Sequence, residues 1–139
     1  MVNPGLPKVV PIPPRMRKQL GEGTLLLPSP QQVDAVIRTV RVGQVITVSK
    51  IREILAHKYG ADAACPLVTG MFVRIAAEAA EEDASAGKKK ITPYWRVVKD
   101  DRSLNPKFPG GVERQEERLR DEGHHVVAGR GKRPPRIAD

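Results

Sequence analysis

Pro4, Pro7, Pro11, Pro13, Pro14 and Pro28 crowd the first 28 residues, and that density limits what this end of the chain can become. Proline fixes φ and carries no backbone N–H, so neither a helix interior nor a central strand suits it. Val9, Val10, Ile12 and Leu25-Leu26-Leu27 are nonetheless apolar. Two outcomes stay open: an extended arm laid partly on a domain, with Arg15, Arg17 and Lys18 exposed, or a disordered tail.

Beyond this arm the pattern turns helical. Ser29 suits an N-cap and Pro30 the first helical position. Val33, Val36, Ile37 and Val40 follow at helical spacing and predict one buried face, with Gly43 as the stop. Thr47 or Ser49 caps a second helix with Ile51, Ile54 and Leu55 on its apolar stripe, ended by Gly60. A third helix starts near Pro66 and runs to about Asp83, with Val68, Met71, Phe72, Ile75 and Ala79 expected inside. Two helices joined by a short turn form the skeleton of helix-turn-helix DNA readers, although most such pairs only pack.

The rest alternates loops and short elements. Ser85–Lys90 is a loop carrying Lys88, Lys89 and Lys90. Tyr94–Lys99 reads as a strand, being aromatic and β-branched. Val112 to about Glu122 is a fourth, highly charged helix with Gly123 beyond its end, and His124–Ala128 is a short strand. The expected organisation is an arm at 1–28, a domain at 29–128 and a mobile basic tail at 129–139.

A chain of 139 residues suits one modest core, and a formal net charge of +8 favours polyanions, nucleic acid before an anionic membrane surface. Cys65 is the single cysteine, so neither a disulfide framework nor a cysteine-rich zinc site forms within one chain. No apolar run reaches the length of a membrane span, and the N-terminus lacks the apolar region of a signal peptide. The expected location is cytoplasmic.

The most specific stretch is Pro93-Tyr94-Trp95-Arg96-Val97-Val98, followed by Lys107-Phe108-Pro109-Gly110-Gly111 and, after the fourth helix, Glu122-Gly123-His124. In this order the motifs resemble the active-site segment of the O6-alkylguanine-DNA alkyltransferases (methylated-DNA–protein-cysteine methyltransferases). In that family the first motif reads Pro-Cys-His-Arg-Val-Val and the Cys accepts the alkyl group. The resemblance runs from roughly Thr47 to His124. It implies an α+β, winged-helix-like (helix-turn-helix) domain with a small β-sheet, as in the alkyltransferase C-terminal domain.

Carried over by position, Tyr94 stands for the nucleophile and Trp95 for its histidine base. Arg96 is the motif arginine, Phe108 an aromatic lid, and Pro109, before Gly110, replaces a serine. Glu122 stands for the carboxylate that orients the histidine; otherwise it is a helix-end carboxylate facing solvent. A phenol and an indole do not replace a thiolate activated by a base, so the resemblance implies no enzyme activity. It is similar in logic to the alkyltransferase-like proteins, which lack the Cys, bind alkylated DNA without repairing it and flag the lesion for other pathways. The implied partners are double-stranded DNA, alkylated or not, and a repair-pathway protein. Tyr94 would stack on or hydrogen-bond to an extruded base, or fill the pocket and close it.

Ser49, Lys50, Gly70, Arg74, Lys88, Lys89 and Lys90 are the candidate DNA contacts. Three departures stand against them. No arginine lies near Leu67–Gly70, where the family's recognition helix inserts one. Ser49–Ile51 occupy the place of the family's Thr-Tyr-Gly turn. Glu78, Glu81, Glu82 and Asp83 would repel phosphates unless they point away from DNA. The alternative function is a repurposed scaffold that binds a protein or small ligand without recognising damage. Cys65 is either activated by a helix N-terminus or a small buried apolar residue. No metal or cofactor is expected: His124 and His125 point apart in a strand, and His57 is remote.

Overall fold

In the computed structural model, which describes residues 5–138, the proline-rich start folds back on itself. Strand β1 (Lys8–Pro11) pairs antiparallel with β2 (Thr24–Leu27). Pro11 is tolerated because β1 is an edge strand. Between the strands, Pro14 opens a 3-10 turn (Pro14–Met16) that runs into the short helix α1 (Arg17–Leu20). This helical stretch departs from the expected extended arm. A proline in a first turn lacks only an N–H that has no partner there anyway.

Ser29 caps α2 (Pro30–Arg38) in a full capping box: its side chain accepts from the Gln32 N–H, and Gln32 reaches back to the Ser29 N–H. Val33, Val36, Ile37 and Val40 are all buried, as their spacing predicts. The helix ends at Arg38, five residues short of the expected glycine stop, and Val40 is buried from the turn that follows. β3 (Ile46–Thr47) leads into α3 (Val48–Lys58), capped by Thr47, whose side chain accepts from the Lys50 N–H. Ile51 and Leu55 are buried while Ile54 faces outward. Gly60, at φ 64°, then turns the chain into β4 (Ala63–Ala64). β4 lies parallel to β2, giving the sheet order β1-β2-β4.

The long helix α4 (Pro66–Ser85) packs on α2 and α3. Its buried face is Thr69, Phe72, Val73, Ala76, Ala77 and Ala80. The expected face (Val68, Met71, Phe72, Ile75, Ala79) is therefore rotated, and Met71 and Leu67 are exposed. The small alanines let α2 come close, and this close approach outweighs the larger side chains on the neighbouring stripe. The chain continues through β5 (Val97–Val98), α5 (Gly111–Asp121), β6 (Val126–Val127) and β7 (Arg136–Ile137). β5 pairs parallel with β3, and β6 pairs antiparallel with β7. The segment expected to be a mobile tail thus returns to the domain and buries Ile137.

Candidate nucleic-acid interface

Tyr94–Arg96 form a 3-10 turn where a strand was expected; only Val97–Val98 are extended. Pro93 precedes the turn, the Tyr94 N–H donates to the Thr92 carbonyl at 2.8 Å, and the Arg96 N–H donates to the Pro93 carbonyl at 3.1 Å. A 3-10 turn spaces successive side chains about 120° apart. Tyr94, Trp95 and Arg96 therefore leave in three directions, and all three are buried.

Tyr94 points into the core and is 0% exposed. Its ring lies edge-on to Phe108 (centroids 5.3 Å apart) and to Trp95 (5.4 Å), a favourable quadrupole arrangement. Its hydroxyl donates to the Glu81 carboxylate on α4. Glu81 also pairs with Arg118 at 3.0 Å and with Arg114 at 3.6 Å, both on α5. Burial opposes the Glu81 charge, but the Tyr94 hydroxyl and the Arg118 guanidinium outweigh it and hold its carboxyl below the ordinary range. Burial, then the Glu81 bond, hold the Tyr94 phenol well above its ordinary range, so it stays protonated. One member of the acidic run on α4 has thus turned inward as a bracket between α4, the motif and α5.

Trp95 points toward the end of α5. Its indole N–H donates to the Glu122 carboxylate at 3.0 Å, and the Arg118 guanidinium lies 4.5 Å from the ring centroid. Arg96 binds the same carboxylate through Nε (2.9 Å) and Nη2 (2.7 Å), and its Nη1 donates to the Val40 carbonyl at 2.6 Å. Glu122 does not face solvent: it accepts from the residue at the histidine position. Burial raises its pKa, while Arg96 and the Trp95 N–H lower it; the net shift is downward. Behind the turn, Gln115 is fully buried and donates to the Trp95 (3.0 Å) and Val97 (2.9 Å) carbonyls while accepting from the Asn105 N–H. Sequence reasoning missed Gln115. Its only signal is its place one turn before Leu119 on the buried stripe of α5.

Gly110, at φ 78°, is the N-cap of α5, and a Cβ there would lie 2.6 Å from the Arg114 Cβ. Pro109 lines a recess of about 440 Å³ with Glu78, Glu81, Glu82 and Ser85, an acidic concavity beside the buried ring. On another side of the motif, Lys89 and Lys90 line a cleft of about 370 Å³ with Arg38, Pro93, Trp95 and Arg96. The motif therefore has an acidic recess and a basic cleft.

The other expected contacts lie on separate elements. The Ser49 hydroxyl donates to Asp100 at 2.6 Å, and Lys50 pairs with Glu53 at 3.1 Å. Lys88 pairs with Asp83 at 3.4 Å, and Arg74 is exposed on α4 beyond Gly70. Cys65 is 3% exposed, in a small apolar cluster with Ile12 and Leu25. Among the described residues no cluster of three or more His, Cys, Asp or Glu side chains could hold a metal ion, and no helix is long and apolar enough to cross a membrane.

No protein-family model matches this chain, and no curated protein matches it. Among solved structures the fold is similar to the crystal structure of S. pombe Atl1, an alkyltransferase-like protein, in complex with damaged DNA containing O6-carboxymethylguanine. The TM-score is 0.51 at 17% identity, and the match covers 78% of this chain and 87% of that one. The architecture is α+β, consistent with the alkyltransferase C-terminal domain, as the motif order implies.

Proposed function

We propose that this chain is a non-catalytic DNA-binding protein that engages duplex DNA without extruding a base. The observation that carries the reading is the combination of two features: the α3–turn–α4 pair set against the Pro93–Val98 motif, in a fold similar to that of a protein crystallised on damaged DNA. The net charge of +8 supports a polyanion partner. The phenol at the nucleophile position is held protonated, and Cys65 is enclosed in apolar side chains, so neither supports alkyl transfer.

The closed packing around Tyr94 supports a reading without an extruded base. Flipping costs a few kcal/mol, and an incoming base would in addition have to displace the Tyr94 ring from its contacts and its bond to Glu81. O6-alkylguanine sensing, and recruitment of a repair protein to the lesion, would need the Tyr94 ring to leave its bracket. The acidic recess at Glu78, Glu81, Glu82 and Pro109 favours a second reading, a scaffold that binds a basic protein segment or small cation there.

Fluorescence anisotropy titrations at low salt, on matched duplexes with and without O6-methylguanine, test the proposal. Salt-sensitive binding of equal strength to both is the expected result. A preference of tenfold or more for the lesion, about 1.4 kcal/mol, would overturn the closed pocket. No binding to either duplex would favour the scaffold reading.

A further inference from the structure

We propose that the C-terminal hairpin is the principal phosphate-binding surface, an inference that rests on the DNA-binding reading above. From Gly123 to Ala138 the sequence carries Arg130, Lys132, Arg133 and Arg136 and not one acidic residue; the next acid is Asp139, the last residue of the chain. These cations equal half of the formal net charge of +8.

The hairpin is built rather than loose. β6 and β7 pair through Val126↔Ile137 and Val127↔Arg136. The Ile137 N–H donates to the Arg102 carbonyl (3.0 Å), the Leu104 N–H to the Pro135 carbonyl (2.8 Å), and the Ala138 N–H to the His125 carbonyl (2.9 Å). At Gly129 a Cβ would fall 1.7 Å from the Arg133 carbonyl oxygen, so the loop closes on itself at a position open only to glycine. Val126 and Ile137 face inward, and Val127 and Arg136 face outward across the pair. Arg130, Arg133 and Arg136 then line a concavity of about 910 Å³ with Asp101, Ser103 and Pro134.

What sets the hairpin apart is that its cations are gathered on one element with no acid among them. On the helices several basic side chains are committed, Arg38 to Asp34, Lys50 to Glu53, Arg114 and Arg118 to Glu81, and Arg120 to Glu116, while Lys58 and Arg74, without an ion pair among the described residues, stand singly on α3 and α4. Among the described residues, Arg130, Lys132, Arg133 and Arg136 form no ion pair. Asp101 brings one negative charge to the rim, but its carboxylate accepts from the Ser103 N–H at 3.0 Å. Asp100, beside it, accepts from Ser49 at the start of α3. Asp101 on the rim is thus one residue from the contact that ties this turn to the start of α3. Guanidinium forks match phosphate oxygens in pairs, and several on a rigid support suit successive phosphates of a duplex backbone.

The test is the salt dependence of binding to an undamaged duplex, read by anisotropy. The full-length protein is compared with two triple variants: Arg130→Gln/Arg133→Gln/Arg136→Gln, and Lys8→Gln/Lys58→Gln/Lys107→Gln as a control of equal charge on other elements. Each phosphate contact contributes about 0.9 to the slope of log K against log salt. The hairpin variant should lose about 2–3 from that slope and bind roughly tenfold or more weakly at low salt, while the control stays near the parent. An unchanged slope in the hairpin variant, or an equal loss in the control, would overturn the inference and leave DNA binding intact. If the parent does not bind at all, the functional reading fails and this surface with it. Equal thermal melting of the three proteins establishes that the comparison is between folded chains.

Discussion

Replacing Tyr94 in two ways separates the hydroxyl from the ring. Tyr94→Phe keeps the edge contacts to Trp95 and Phe108 and deletes the bond to Glu81. A hydrogen bond to a charged group is worth about 1.5–3 kcal/mol. Glu81 keeps Arg118 and Arg114, and its side chain is 20% exposed, so water compensates part of the loss. The expected cost is about 1–2 kcal/mol. Tyr94→Ala also empties a fully buried aromatic site, and aromatic-to-alanine changes cost about 3–5 kcal/mol. Adding the lost hydroxyl gives about 4–7 kcal/mol, a large share of a typical total stability of about 5–15 kcal/mol. Urea unfolding followed by tryptophan fluorescence measures both, because Trp95 is the single tryptophan and its ring lies 5.4 Å from the Tyr94 ring. If Tyr94→Ala costs no more than Tyr94→Phe, the ring is not held in the core and the closed-pocket reasoning fails.

Other outcomes follow from the same network. Glu122 and Glu81 both have folded-state pKa values below the ordinary 4.5. The stability they contribute is therefore present above that value and lost as pH falls through the lowered one. Glu122→Gln should make the acid limb of a stability–pH curve shallower and, by leaving the buried Arg96 charge without its counter-ion, cost about 3 kcal/mol at neutral pH; an unaltered acid limb contradicts the pairing. Gln115→Leu strands two carbonyls and one N–H, with an expected loss of about 2–4 kcal/mol in chemical denaturation, and a neutral result would mean that water replaces the amide. Cys65 should react with an aromatic disulfide reagent far more slowly in the native protein than in urea; equal rates would contradict its burial.

Local chemistry was readable in the sequence wherever neighbouring residues settle the outcome. Ser29 and Pro30 fix the start of α2, and Thr47, one of the two caps open for α3 beside Ser49, is the one used. The valines and isoleucine of α2 fall inside at their helical spacing. The motif segment misled because its β-branched and aromatic residues favour a strand, whereas Pro93 and two short-range hydrogen bonds curl it into a turn. The face of α4 was misjudged because side-chain size suggested Met71, while close packing against α2 selects alanines. Glu81 lies 13 residues from its hydroxyl partner, and within the acidic run nothing marks it as the inward member. The C-terminal hairpin looked like a tail for a similar reason: what anchors it is the Arg102 and Leu104 backbone, more than 30 residues upstream of its last strand.

The parallel pairing of β2 with β4 bears on how the chain must be made. Thr24 meets Asp62, 38 positions further along the chain. During synthesis the first strands leave the ribosome well before Ala63 and Ala64 exist to complete their sheet. For that interval Leu25 and Leu26 have no permanent cover. A version begun at residue 29 would instead leave β4 without β2, its strand partner among the described residues, and the turn between α3 and α4 without the Thr24–Asp62 bond that braces it. The opening segment is therefore a poor place for truncation, and fusions are better joined ahead of it.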